Sequence, residues 1–273
     1  MQKLEIILVW IGLLGYLLGF ALLLTSLTFR RSRFTKPGWY MSWLAFFAHT
    51  LAIVTRWIAS GHPPVEGNYE NALLGTWFIG GIFLAGTLKH RRIMGMGVLI
   101  NPIILFILGM GLQTKTELVP LSPPYQSNWL WIHVGFAWLA FSAFFAAFVL
   151  AVIYLWKAKY SGKKNGFPAQ FPELPVIDDL MLGFIAFGFI SQGLQIAAGA
   201  FWASSLWGSY WSWDPIETWS LICWLTYGLT LHLRLTQNWR GSRLAWLSLL
   251  AVVTEIVSFW GLGIGTGPHT PLL

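Results

Sequence analysis

Eight long apolar stretches, separated by shorter polar segments, limit this chain more than any other feature. They run approximately over Leu4–Phe29, Trp39–Ser60, Asn71–Leu88, Ile93–Leu112, Trp129–Trp156, Leu180–Phe201, Glu217–Leu235 and Leu244–Gly265. About 20 apolar residues make one helical span of a bilayer. The expected fold is therefore an all-α integral membrane protein of about eight transmembrane helices, with residues 1-273 forming a single polytopic domain. Only 10% of the residues are charged, against about 25% in soluble domains, so most of the surface is left to face lipid. The first stretch is too long for a signal-peptide core and no A-x-A-like site follows it; it reads as a retained helix.

The net charge of +7 is organised by loop. Arg30, Arg31, Arg33 and Lys36 fall in the first connection, and Lys89, Arg91 and Arg92 in the third. Lys157, Lys159, Lys163 and Lys164 fall in the fifth, and Arg234, Arg240 and Arg243 around the seventh. Fourteen of the 17 basic residues thus occupy alternate loops, with only Lys3, Arg56 and Lys115 elsewhere. That is the positive-inside pattern, and with eight spans it puts both termini on the outer (periplasmic or lumenal) side. The basic balance reports topology, and no nucleic-acid partner is expected. The one cysteine, Cys223, excludes an intrachain disulfide or a C-x-x-C pair and reads as an apolar filler.

With this topology the polar and aromatic features gather on the outer face. Chief among them is residues 202-219, which include Trp207-Gly208-Ser209-Tyr210-Trp211-Ser212-Trp213-Asp214-Pro215-Ile216-Glu217-Thr218-Trp219. An interfacial aromatic belt accounts for one or two such residues, but not for Trp207, Tyr210, Trp211, Trp213 and Trp219 together. A flat, electron-rich surface suits a large planar ligand. Asp214-Pro215-Ile216-Glu217 has the pattern of a helix start, with Asp at the N-cap, Pro next and Glu at the third position.

Six histidines are the ligand candidates. His133 lies at the outer start of the fifth span and His269 just past the eighth, in Gly265-Thr266-Gly267-Pro268-His269-Thr270. Between them in sequence lies the Trp-rich segment. Two such histidines could give haem iron its axial nitrogens, with indole rings against the porphyrin; the plainer alternative is a pair of interfacial histidines bound to water or headgroups. His232 falls inside the seventh span, roughly 22 Å along a helix from Glu217, where an ionisable residue is a functional candidate. His49 sits mid-span with weaker context, His62 lies in a Pro-Pro loop, and His90 belongs to a basic loop. No Ser-His-Asp set, H-E-x-x-H or phosphate loop is present.

Trp207-Gly208-x-Tyr210-Trp211-x-Trp213-Asp214-Pro215-x-Glu217 resembles the "WWD" motif of haem-handling membrane proteins. With Gly61-His62-x-Pro64, Tyr69-Glu70 and the eight-span layout, the chain resembles the CcsA/ResC family of system II cytochrome c biogenesis. CcmC and CcmF share the wider superfamily. The resemblance implies haem b as ligand and substrate, held by His133 and His269 as axial ligands. The aromatic segment, with Asp214 and Trp219, would lie against it. His232 would form a transit site with a histidine of a CcsB/ResB-like partner. It further implies presentation of the haem vinyl edge to an apocytochrome C-x-x-C-H motif. The chain would be one subunit of a cytochrome c synthetase (haem lyase) complex and would not act alone. Its place would be a bacterial cytoplasmic membrane, with a thylakoid as the other candidate. One departure is Gly-Pro-His-Thr around His269, where the family pattern is Gly-Leu-His-Ser. The competing readings are a CcmC/CcmF-like haem handler of the other maturation system, a non-haem membrane transporter gated by the Trp-rich loop, and a scaffold subunit.

Overall fold

In a computed structural model, residues 1–160 and 171–260 are described. Among them there is no strand, and eight α-helices carry the chain: α1 (Gln2–Thr28), α2 (Thr35–Ser60), α3 (Gly67–Lys89), α4 (Gly97–Gly111), α5 (Asn128–Lys159), α6 (Leu174–Trp207), α7 (Pro215–Thr236) and α8 (Ser242–Trp260). Seven helical segments, containing every one of these except α7, are long and apolar enough to cross a bilayer. The protein is therefore an all-α integral membrane protein. The helix expected over Glu217–Leu235 exists, but Glu217, Ser220, Thr226, Thr230, His232 and Arg234 keep it below the apolarity of its neighbours. The fourth expected span begins as a 3-10 turn over Arg91–Met96 before the α-helix sets in at Gly97.

The helices form two compact units. The first contains α1 to α4. Here α1 and α2 pack closely because small residues line their contact. A Cβ on Gly15 would stand 2.9 Å from Ala45 Cβ, and one on Gly19 would meet Gly38 O at 3.1 Å. Helices in lipid associate through such close backbone approach, since apolar burial gives them little. At one end of this unit lies a buried ion-pair cluster. Arg56 donates from Nε to Glu70 Oε1 (2.7 Å) and from Nη1 to Glu5 Oε1 (3.3 Å). It also donates to the carbonyls of Thr116 and Glu117. Tyr69 Oη donates to Glu5 Oε1 at 2.8 Å. Arg56, Glu5 and Glu70 are 2%, 0% and 3% exposed. Arg56 departs from the loop-by-loop charge pattern because it is an internal ion-pair residue.

The second unit contains α5 to α8. α5 and α6 pack along their lengths, α8 lies against α5 and α7, and α7 also touches α6. With 32 and 34 residues, α5 and α6 are roughly 48 and 51 Å long. A bilayer's apolar core is only about 30 Å thick, so their ends project past it. The start of α5 meets the end of α6, where Trp129 stacks on Phe201. There the aromatic segment follows.

Candidate functional site

The Trp-rich loop is held by its own backbone and by the start of α7. α6 stops at Gly208, which takes the left-handed conformation (φ +75°) that glycine adopts without steric cost. Its N–H still reaches Ser204 O at 3.0 Å. Asp214, extended as the residue before Pro215 should be, caps α7: its Oδ1 accepts from the Glu217 N–H at 2.9 Å. Glu217 Oε2 reaches back to accept from Ser212 N (2.7 Å) and Ser212 Oγ (3.2 Å). In a simple capping box the glutamate would return to the cap residue itself. Here it reaches two residues further and anchors the loop. Ser209 Oγ donates to Trp211 O, and Thr218 Oγ1 to Trp213 O. Trp213 is thereby kept at φ +59°, a left-handed conformation that costs a side-chain-bearing residue roughly 1 kcal/mol.

These bonds turn the two acids inward and leave Trp213 and Tyr210 outward, with Trp207 and Trp211 half-buried. Asp214 and Glu217 are buried, while Trp213 is 69% and Tyr210 58% exposed. Trp211 and Trp213 stand edge to face at 5.7 Å. Tyr210 meets Phe201 edge-on at 5.8 Å, and Phe201 stacks on Trp129 of α5 at 4.6 Å. Trp202 lies 6.0 Å from Trp207 and 6.2 Å from the ring of His133. Trp129 and His133 are four residues apart and so share one face of α5. Trp219 is half-buried on α7, one turn past the cap.

His133 is seated precisely enough to define its chemistry. Its Nδ1 lies 2.9 Å from Gln195 O. A carbonyl only accepts, so Nδ1 carries a proton, and in the neutral ring it is Nε2 that keeps the lone pair. This is the arrangement by which a backbone carbonyl orients a metal-ligating histidine. The seat exists because residue 199 is glycine: a Cβ there would lie 2.6 Å from Nδ1 and 2.9 Å from Cε1. Gly199→Ala is therefore expected to push the ring off Gln195 O and weaken any ligand held by Nε2 by about 10- to 100-fold. A ligand titration of the purified variant checks this.

The remaining candidates separate. His269 lies outside the described residues. His232, expected inside a span, is on the exposed side of α7, where its backbone carbonyl accepts from Thr236 Oγ1. Nothing described brings it to His133. His49 is fully buried in the first unit and donates through Nε2 to Leu73 O at 2.9 Å, a helix–helix contact. His62 is buried between the carbonyls of Pro63 and Val119, tying two loops together. Cys223 is buried, but it is more than filler: its thiol donates to Glu255 Oε2. Among the described residues no group of three His, Cys, Asp or Glu is arranged to hold a metal ion. Gly199 and the Gln195 carbonyl were beyond sequence reasoning, since neither carries a ligating side chain.

The sequence profile described as "Cytochrome C assembly protein" matches residues 40–269. This chain belongs to that family. A Guillardia theta member, "Cytochrome c biogenesis protein CcsA", is 35% identical over 256 residues, covering 85% of this chain and 84% of the relative. A member of the same name from Prochlorococcus marinus (strain NATL1A) is 30% identical, covering 81% and 80%. Among solved structures, "Cytochrome c Heme Lyase CcmF" superposes with a TM-score of 0.72 over 99% of this chain, at 18% identity. That likeness is one of fold, and the present chain spans about half (48%) of the CcmF chain. Membership in the cytochrome C assembly family gives the general role as c-type cytochrome biogenesis.

Proposed function

We propose that this protein holds haem b at the Trp-rich loop and presents it for thioether attachment to an apocytochrome C-x-x-C-H motif. The observation that carries this reading is the seat of His133. A backbone carbonyl accepts from Nδ1, so that in the neutral ring Nε2 is the nitrogen left for iron, and the ring lies beside a capped aromatic platform. The names of the relatives, a cytochrome c biogenesis protein and a haem lyase, agree with it.

In this reading haem is the cargo. His133 and His269 supply its axial nitrogens, and Trp207, Tyr210, Trp211, Trp213 and Trp219 bound its edges and faces. Asp214 acts through the cap, holding the loop in place. The protein contributes orientation, and haem carries the reactive vinyl groups. The apocytochrome contributes both thiols and the histidine that replaces one protein ligand. His232, exposed on α7, would meet a histidine of a CcsB/ResB-like partner, forming a transit site. Both termini and the Trp-rich loop lie on the outer side, of a bacterial cytoplasmic membrane or of a thylakoid. The chain acts as one subunit of a synthetase.

The test is the visible spectrum of the detergent-purified protein, produced with and without the partner. Sharp reduced bands are expected in the wild type, weakened in His133→Ala and His269→Ala. A wild type that stays colourless with its partner and ample haem would sink the proposal in favour of a non-haem transporter or scaffold.

A further inference from the structure

The buried residues of α7 are Glu217, Ser220, Cys223, Tyr227, Thr230 and Arg234. All six are polar or protonatable, and their spacing of three and four residues sets them on one stripe. It is roughly 26 Å long. Ile222, Leu225 and Leu229 occupy the opposite, exposed side. α8 meets the stripe with its own polar groups: Ser258 Oγ lies 3.3 Å from Ser220 Oγ, and Glu255 Oε2 accepts from Cys223 Sγ at 2.7 Å.

Both ends of the stripe lead somewhere. At one, Glu217 binds Ser212 of the Trp-rich loop through Oε2. At the other, Arg234 Nη2 donates to Asp178 Oδ2 at 2.8 Å. Asp178 lines a cavity of about 690 Å³, together with Tyr154, Arg240 and Arg243.

A polar stripe that served only to register helices would pair its groups with one another. This one does not. Glu217 Oε1, Tyr227 Oη and Glu255 Oε1 are buried and have no hydrogen-bond partner among the described residues. Glu255 is 1% exposed, and no cation pairs with it among the described residues. Burial without a counter-charge favours the neutral acid. Ionisable groups inside a span are costly and mark ion and proton pathways.

We propose that the inward stripe of α7 is a proton track with Glu255 as its relay carboxyl. It runs between the cavity lined by Asp178 and the Trp-rich loop. The carried species is a proton, passed over hydroxyl, carboxyl and water oxygens. Glu255 gives its acid proton to the next oxygen as another arrives, so nothing is oxidised or reduced and the buried charge does not change. The inference is independent of haem.

Infrared spectroscopy of the full chain in lipid vesicles tests it, comparing H₂O with D₂O. The wild type should show a protonated-carboxyl band that is absent in Glu255→Gln and shifts promptly in D₂O. Tyr227→Phe removes one hydroxyl from the track and should slow that shift about tenfold. If Glu255→Gln fails to accumulate, Cys223→Ala retains the acid and removes its thiol donor, and the band should move to higher wavenumber. The same band in Glu255→Gln as in wild type, no band at all in wild type, or a band that resists exchange for hours would each overturn the proposal. So would unchanged exchange in Tyr227→Phe.

Discussion

Cells that carry His133→Ala are expected to accumulate c-type cytochromes only at the level of cells lacking the protein, with the variant still present in the membrane. In the proposed mechanism the imidazole is an axial ligand, and the removal of a ligand leaves nothing in α5 to take its place. The ring is half-buried against Trp202, so its loss opens a space of imidazole size next to a donor-accepting carbonyl, Gln195 O. Added imidazole should enter that space in His133→Gly and restore part of the maturation, with the low-spin spectrum returning in parallel. Gly199→Ala should behave differently. There the histidine is present but displaced, so added imidazole meets an occupied seat and should restore little. Cytochrome yield and spectrum, read with and without imidazole, separate these outcomes. Full maturation in His133→Ala would contradict the assignment of this residue.

Arg56→Met is expected to destabilise the first unit by about 3–5 kcal/mol, the usual consequence of removing one member of a buried ion pair. The guanidinium faces two carboxylates, Glu5 and Glu70, and two backbone carbonyls. Without it, two acids remain 0% and 3% exposed with no cation between them. A triple variant that also carries Glu5→Gln and Glu70→Gln should recover much of the loss, because neutral amides leave no uncompensated charge. Thermal unfolding in detergent, followed by helical circular dichroism, measures both. If the single variant melted with the wild type, the cluster would be a surface feature, contrary to its burial.

The apolar stretches announced the helices because lipid leaves the backbone no other way to pair its groups. Asp214-Pro215-Ile216-Glu217 announced the start of α7 for a local reason: capping is settled within four residues. The reach of Glu217 to Ser212 lay outside that local logic, as it depends on how the loop returns. His133 could be singled out by residue type and by its place beside the aromatic segment. Its orientation could not, because that rests on a missing Cβ at Gly199 and a main-chain carbonyl, 62 residues away at Gln195. His232 shows the opposite limit. Its place on the seventh helix was plain from sequence, but which side of α7 it occupies depends on neighbours, and they leave it exposed. Arg56 and Cys223 were read as an exception and a filler because their partners, Glu5, Glu70 and Glu255, are distant in sequence.

The polarity of α7 also bears on how the chain is made. A segment carrying Glu217, His232 and Arg234 gains little from entering lipid by itself, since each charged residue opposes insertion. α8 follows after Gln237–Gly241 and offers Ser258 and Glu255 to its polar side. The two are thus suited to leave the translocon as one hairpin, the second helix carrying the first. The Trp-rich loop, tied to the opening turn of α7, would take its shape only once that hairpin is home.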